Sequence, residues 1–356
     1  MASHSWDDLY KTIRKGALPP AVYLFGLEEP LKDEAVQELL DRALDPGLRD
    51  FNLDIRSAGS LDPEDVVTLL TTLPMMADRR VVIIRDVESW HKRAKAKQAV
   101  LDCLDQPSPE TLVILIQGAG DPEKAKSNDP DPDLARRAYA VNCDRLPFDR
   151  AARWLVKEAE KVGLVLAPDS VAHLVKALDA ELGPLRAELG KLAGLAGSEP
   201  LTVEQVSAML GIRHGETVPD WCEAVMDGHT GNAAAMLPHL LGQSGASGVK
   251  LVISLGQALV GTALARALRD EGKRGRALES AVFDTLKRLR LWGIDYRTSA
   301  NQWSRWSEDW TLPRLQMGIQ AAIDTDTALK ATTLSDEAGL VTDLVMRLAL
   351  PMQEAA

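Results

Sequence analysis

The sequence has no apolar run near the ~20 residues a membrane span requires, and its opening MASHSWDDLYKTIRKG lacks the hydrophobic segment of a secretory signal. A cytoplasmic protein without a membrane partner is expected. Cysteine is scarce. Cys103, Cys143 and Cys222 are far apart, with no CxxC or Cys/His cluster, which excludes a sequence-readable disulfide framework or zinc site. The six histidines are scattered and no Gly-x-Ser-x-Gly elbow occurs, so no metal site and no catalytic nucleophile is expected. An excess of basic charge is also missing. With 41 Lys and Arg against 52 Asp and Glu, the net charge is −11. Phosphate neutralisation is thus not the main task, and protein partners are expected before nucleic acid.

What is present is a chain of 356 residues, 46% apolar and 26% charged, long enough for two or three domains. Over the first ~145 residues, short apolar runs alternate with amphipathic stretches. Ala21–Phe25 reads as a buried strand, followed by Gly26 and a helix from Lys32 to about Ala43. Further strands are predicted at Phe51–Ile55, Val81–Ile84, Leu112–Ile116 and Ala140–Cys143. Helices run from Asp62 through Leu73 and from Ala94 to Leu104. Nearly continuous apolar strands separated by helices imply a five-stranded parallel sheet covered on both faces. Gly118–Asp133 is loop by composition, being rich in Gly, Pro and Asp.

Beyond Leu146-Pro147 only helices are convincing: Arg150–Val162, Pro168–Leu178, Pro184–Ala193 and Thr202–Leu210, then a linker at Gly211–Pro219 and longer helices to the end. The expected domains are 1–145, 146–212 and 213–356. No internal repeat is found.

A glycine after the first strand, with a helix following, is where a phosphate-binding GxxxxGK[ST] loop would sit. Gly26-Leu-Glu-Glu-Pro-Leu-Lys-Asp33 keeps only the first Gly and Lys32. Leu31 stands where a glycine must let the backbone close on phosphate, and Pro30 removes an amide donor. Glu28 and Glu29 would repel a triphosphate, and Asp33 replaces the hydroxyl that holds magnesium. The third strand ends Ile83-Ile-Arg-Asp-Val-Glu88, with Arg85 at its tip and no adjacent pair of acidic residues to hold magnesium. No cofactor is expected. A plain α/β domain that never bound nucleotide fits these loops as well as a decayed one.

Four segments, in order along more than 300 residues, carry a resemblance. They are Tyr23–Gly26 with Leu31, Glu34 and Ala35; Leu69–Arg85, LLTTLPMMADRRVVIIR; Leu182–Leu192 with its Glu-Leu-x-Lys-Leu core; and Asp326–Lys330 with Leu340–Leu348. Together they are similar to the delta subunit family of bacterial DNA polymerase III clamp loaders. The resemblance implies an AAA+-like domain with a degenerate nucleotide site, a helical lid and a helical collar. It implies no intrinsic activity, a place in a DNA-directed DNA polymerase holoenzyme, and the beta sliding clamp as partner. Further implied partners are the ATPase (gamma/tau) and delta-prime subunits, with primer-template DNA met only through the complex. Two alternatives stand: a P-loop ATPase with an unorthodox site, and a delta-prime-type silent subunit, whose zinc-binding cysteines and Ser-Arg-Cys motif are absent here.

By the same resemblance the clamp-binding residues are Leu73, Pro74, Met75 and Met76. Pro74 ends the preceding helix, and two flexible, polarizable methionines suit an irregular apolar pocket. Family members often carry Leu-Phe there. The alternative is that both methionines pack beneath the sheet. Trp303, Trp306 and Trp310 form one helical stripe, read as core or as a subunit contact. Lys92, Arg93, Lys95 and Lys97 form the densest basic run, read as a solvated helix face or a site for an acidic partner or DNA phosphate.

Overall fold

A computed structural model describes residues 3–119, 129–195, 197, 199–212, 215–243, 246–289, 295–331 and 336–349. The chain divides into two compact units, Met1–Arg145 and Leu146–Ala356.

In the first unit, β1 (His4–Ser5) leads into α1 (Trp6–Arg14), then β2 (Ala21–Phe25) and α2 (Glu29–Ala43). A short α3 (Arg49–Asn52) precedes β3 (Leu53–Ser57), α4 (Pro63–Thr71) and β4 (Arg80–Arg85). Then come α5 (Ala94–Asp105), β5 (Thr111–Ile116), α6 (Leu134–Arg137) and β6 (Tyr139–Asn142). All pairings are parallel, in the order β1-β6-β2-β5-β4-β3. The sheet therefore has six strands rather than five, because His4 and Ser5 pair with Val141 and Asn142 at one edge. Every residue of β2 and β5 is buried, as the unbroken apolar runs require. Tyr23, Phe25, Val82, Ile84, Val113 and Leu115 meet α4 and α5 on one face. The alternate residues face the other way, and α2, backed by α1, packs there against β4 and β5.

Three predicted boundaries move for identifiable reasons. Helix α2 begins at Glu29, three residues before Lys32, because Pro30 fits a first turn where its missing N–H would have no partner. Phe51 lies in α3, and the second strand starts at Leu53. Helix α4 stops at Thr71, two residues short of Leu73; Asp62 and Asp65 form its capping box and Pro63 opens it. Residues 120–128 of the predicted Gly118–Asp133 loop lie outside the described residues, as do residues 213–214 of the predicted linker.

The second unit is helical, with one isolated parallel bridge between Leu166 and Leu201. It contains α7 (Phe148–Lys161), α8 (Pro168–Ala177), α9 (Leu182–Leu192), α10 (Val203–Leu210), α11 (Val218–Met226) and α12 (Thr230–Leu241). Next are α13 (Gly248–Asp270), α14 (Gly275–Leu289), α15 (Tyr296–Trp306), α16 (Leu312–Ala331) and α17 (Glu337–Ala349). Helix α13 corrects the expectation of no long apolar segment, since its 23 residues are long and apolar enough to cross a membrane. Here it is a core helix: Leu251, Val252, Leu255, Leu259 and Ala265 are buried beneath α11, α15, α16 and α17.

The three tryptophans belong to this core, although α15 ends at Trp306 and Trp310 lies beyond it rather than on one helical stripe. Trp303, Trp306 and Trp310 are all buried. Trp310 Nε1 donates to the Met226 carbonyl at 2.9 Å and Trp306 Nε1 to Asp227 Oδ1 at 2.5 Å, so both polar edges are satisfied. Gly261 is the reason the Trp303 ring can lie against α13, because a Cβ there would fall 2.2 Å from the ring.

Candidate functional site

Ligands of open parallel sheets bind in the crevice beyond the carboxyl ends of the strands. In this chain that crevice is filled from within. Lys32, on the first turn of α2, is only 1% exposed. Its Nζ donates to the Gln117 carbonyl at 2.6 Å and to Glu29 Oε1 at 2.8 Å. Glu29 also accepts the Ala119 N–H at 3.0 Å, and Glu88 Oε2 accepts the Gly118 N–H at 2.9 Å. The Gln117 side chain accepts from the Tyr23 hydroxyl, which in turn accepts the Asp131 N–H at 2.9 Å. Burial pushes the Tyr23 hydroxyl well above the ordinary phenol range. The loops after β2, β4 and β5 are thereby tied together by the chain's own ammonium and carboxylates, in the place where phosphates and a metal would otherwise do so.

Gly26 makes the turn possible. Its φ is +120°, and a Cβ would lie 2.5 Å from the Cys143 carbonyl carbon. The chain is stapled there by Cys143 N–H donating to the Phe25 carbonyl (2.7 Å) and Glu28 N–H to the Cys143 carbonyl (2.9 Å). Burial pushes the Cys143 thiol up to about 12. Of the residues compared with a phosphate loop, Lys32 points inward to a carbonyl, Leu31 is buried in the core, and Glu28 is buried at the helix start. Asp86, in the left-handed region, accepts from the Ser57 hydroxyl at 2.8 Å, whereas Glu88 turns to Gly118; the two carboxylates serve different loops. Among the described residues, no group of three or more His, Cys, Asp and Glu side chains could hold a metal ion.

The second feature lies between α4 and β4. Leu73, Met75 and Met76 are 67%, 54% and 79% exposed, so neither methionine packs beneath the sheet. Pro74 is half-buried between them. Met76 has a φ of +51°, a left-handed conformation costing a bulky residue about 1–2 kcal/mol.

The loop is held from below by a residue that the sequence did not reveal. Asn52, at the end of α3, is 0% exposed. Its Oδ1 accepts the Met75 N–H at 2.7 Å, while its Nδ2 donates to the Met75 carbonyl at 2.9 Å and the Leu48 carbonyl at 3.1 Å. Both main-chain polar groups of one exposed residue, Met75, are thus taken up by one buried side-chain amide. Phe51, next to Asn52 in sequence, is also exposed. Within the basic run, Lys97 pairs with Asp131 and Asp133 and Arg93 with Asp62, while Lys95 is exposed.

The first unit is thus a parallel sheet whose crevice is occupied by the chain's own side chains, and a helical unit follows it. The family model described as DNA polymerase III, delta subunit matches residues 23–143, most of the first unit. The DNA polymerase III subunit delta of Bacillus subtilis (strain 168) is 22% identical over 210 residues. That match covers 57% of this chain and spans 60% of the relative's length. The solved structure of the Bacillus subtilis DNA clamp loader delta protein has the same fold, with a TM-score of 0.55 and 19% identity over 97% of this chain and 99% of that one.

Proposed function

We propose that the chain acts in DNA replication as the clamp-binding delta subunit of a DNA polymerase III clamp loader. Leu73, Pro74, Met75 and Met76 engage an apolar pocket of the beta sliding clamp and favour its open form for loading onto primed DNA. The observation that carries this reading is the exposed methionine pair on a strained, buried-amide-pinned turn in the domain that matches the family. Apolar side chains held at a protein surface mark partner contacts when they are grouped and rigid. A binder contributes to ring opening only by preferring the open form, because a ligand shifts a conformational equilibrium by its differential affinity.

In this reading the chain is an adaptor without ATPase activity, which the occupied crevice supports. Residues 146–212 act as the lid and 213–356 as the collar that joins the gamma/tau and delta-prime subunits. DNA is met through the complex, in keeping with a net charge of −11, and the setting is the cytoplasm.

Two measurements test the proposal together. The immobilised chain should capture the organism's own sliding clamp without ATP. Millimolar ATP with magnesium should leave the melting temperature unchanged, whereas a ligand at one hundred times its Kd would add ~2.7 kcal/mol. Failure to capture the clamp, or a rise in melting temperature with ATP that other polyanions do not give, would sink the reading.

A further inference from the structure

We infer that Asn52 is the positioning residue of the clamp-binding turn, fixing Met75 and Met76 in their binding geometry before a partner arrives; the inference rests on the proposed role of those methionines. Asn52 lies 23 residues from Met75 in sequence, yet its carboxamide bonds both the N–H and the carbonyl of that residue. Such pairing copies the two-point contact of a β-ladder with a single side chain. The specification is narrow. The position needs an acceptor and a donor on one short, fully buried side chain, and the donor must face two carbonyls, Met75 and Leu48. Asn meets it at this length.

The unusual backbone gives an independent reason. Met76 holds a left-handed φ of +51° although no glycine or asparagine is present to favour it. Sparsely populated backbone persists where surrounding bonds over-determine it. With the Met75 peptide clamped on one side and β4 beginning at Arg80 on the other, the turn is confined and its side chains face outward. Without the clamp, the turn would spread over conformers of which only a fraction is competent, and apparent affinity falls by that fraction.

The experiment uses the full-length chain and its own sliding clamp, with Asn52→Ala, Met75→Ala/Met76→Ala and the triple variant. Hydrogen exchange should show the Met75 amide losing protection in Asn52→Ala while the amides of β5 keep theirs. Clamp affinity should weaken roughly tenfold, as for a turn that is competent about a tenth of the time. In the background lacking both methionine side chains, Asn52→Ala should add nothing, because its effect is exerted through them. If Asn52→Ala unfolds the first unit, Asn52→Asp serves instead. It keeps the shape and the acceptor for the Met75 N–H but sets a carboxylate against two carbonyls, and the same loss is expected. Affinity within twofold of wild type, or an equal loss in the absence of the methionines, overturns the positioning role. If Met75→Ala/Met76→Ala itself binds clamp normally, the anchor assignment fails first and takes this inference with it, so the two failures are distinguishable.

Discussion

Replacing either member of the Lys32–Glu29 pair should destabilise the first unit, and the two replacements should differ in size. Lys32 is 1% exposed and Glu29 46%, so each substitution leaves a different orphan. Glu29→Gln strands a buried ammonium that keeps its bond to the Gln117 carbonyl but loses its carboxylate. Leaving a buried charge uncompensated costs ~3–5 kcal/mol, and because this pair is half-hydrated on one side the lower end, about 3 kcal/mol, applies. Lys32→Met keeps the volume of the stem and leaves Glu29 in water. It costs about 2 kcal/mol, the penalty of an unsatisfied buried carbonyl at Gln117. Hydrogen exchange of the β2 and β5 amides reads the opening of this unit separately from the helical one. At ~1.4 kcal/mol per tenfold, protection should fall roughly thirtyfold in Lys32→Met and more than a hundredfold in Glu29→Gln. Unchanged protection in Lys32→Met, or a larger loss there than in Glu29→Gln, would refute the claim that this contact holds the crevice together.

Met75→Ala/Met76→Ala should weaken clamp binding at least roughly thirtyfold, about 2 kcal/mol. Thermal melting should stay within about 0.5 kcal/mol of wild type, because both side chains are solvated. Gly261→Ala should cost at least about 3 kcal/mol by forcing the Trp303 ring off α13, read as a lowered unfolding midpoint in tryptophan fluorescence. Native alkylation followed by mass spectrometry should label Cys103 before the buried Cys143 and Cys222. The Cys143 thiol ionises less readily folded than unfolded, so its contribution to stability is complete below about pH 8.5 and declines as pH rises toward about 12. Denaturant titrations at pH 7.5, 9 and 10.5 check the sign, with Cys143→Ala flattening the slope.

The strands were legible because a doubly covered sheet needs unbroken apolar runs, and Val81–Ile84 or Leu112–Ile116 can be little else. Strand β1 was not, since two residues, His4 and Ser5, carry no period. The departures from a phosphate loop were legible residue by residue, but not the bonds that those residues make. Lys32 finds its partner 85 residues away in a main-chain carbonyl, which has no residue signature. Asn52 was hidden for a related reason. Preceding Leu53 and Ile55, it reads as the start of a strand, and nothing nearby in sequence shows that its side chain reaches the backbone of Met75. Exposure of the methionines was likewise open, because two apolar residues after a proline suit a core as well as a surface.

The crevice bonds from Lys32, Glu29 and Glu88 also alter how this domain behaves in time. A diffusible phosphate holds such loops only for the fraction of time that its concentration and residence allow, and each departure releases them. Tethered side chains have no residence time and no dependence on supply. Their local concentration is fixed by the chain itself. The ties between the loops after β2, β4 and β5 therefore do not vary with the concentration of any ligand.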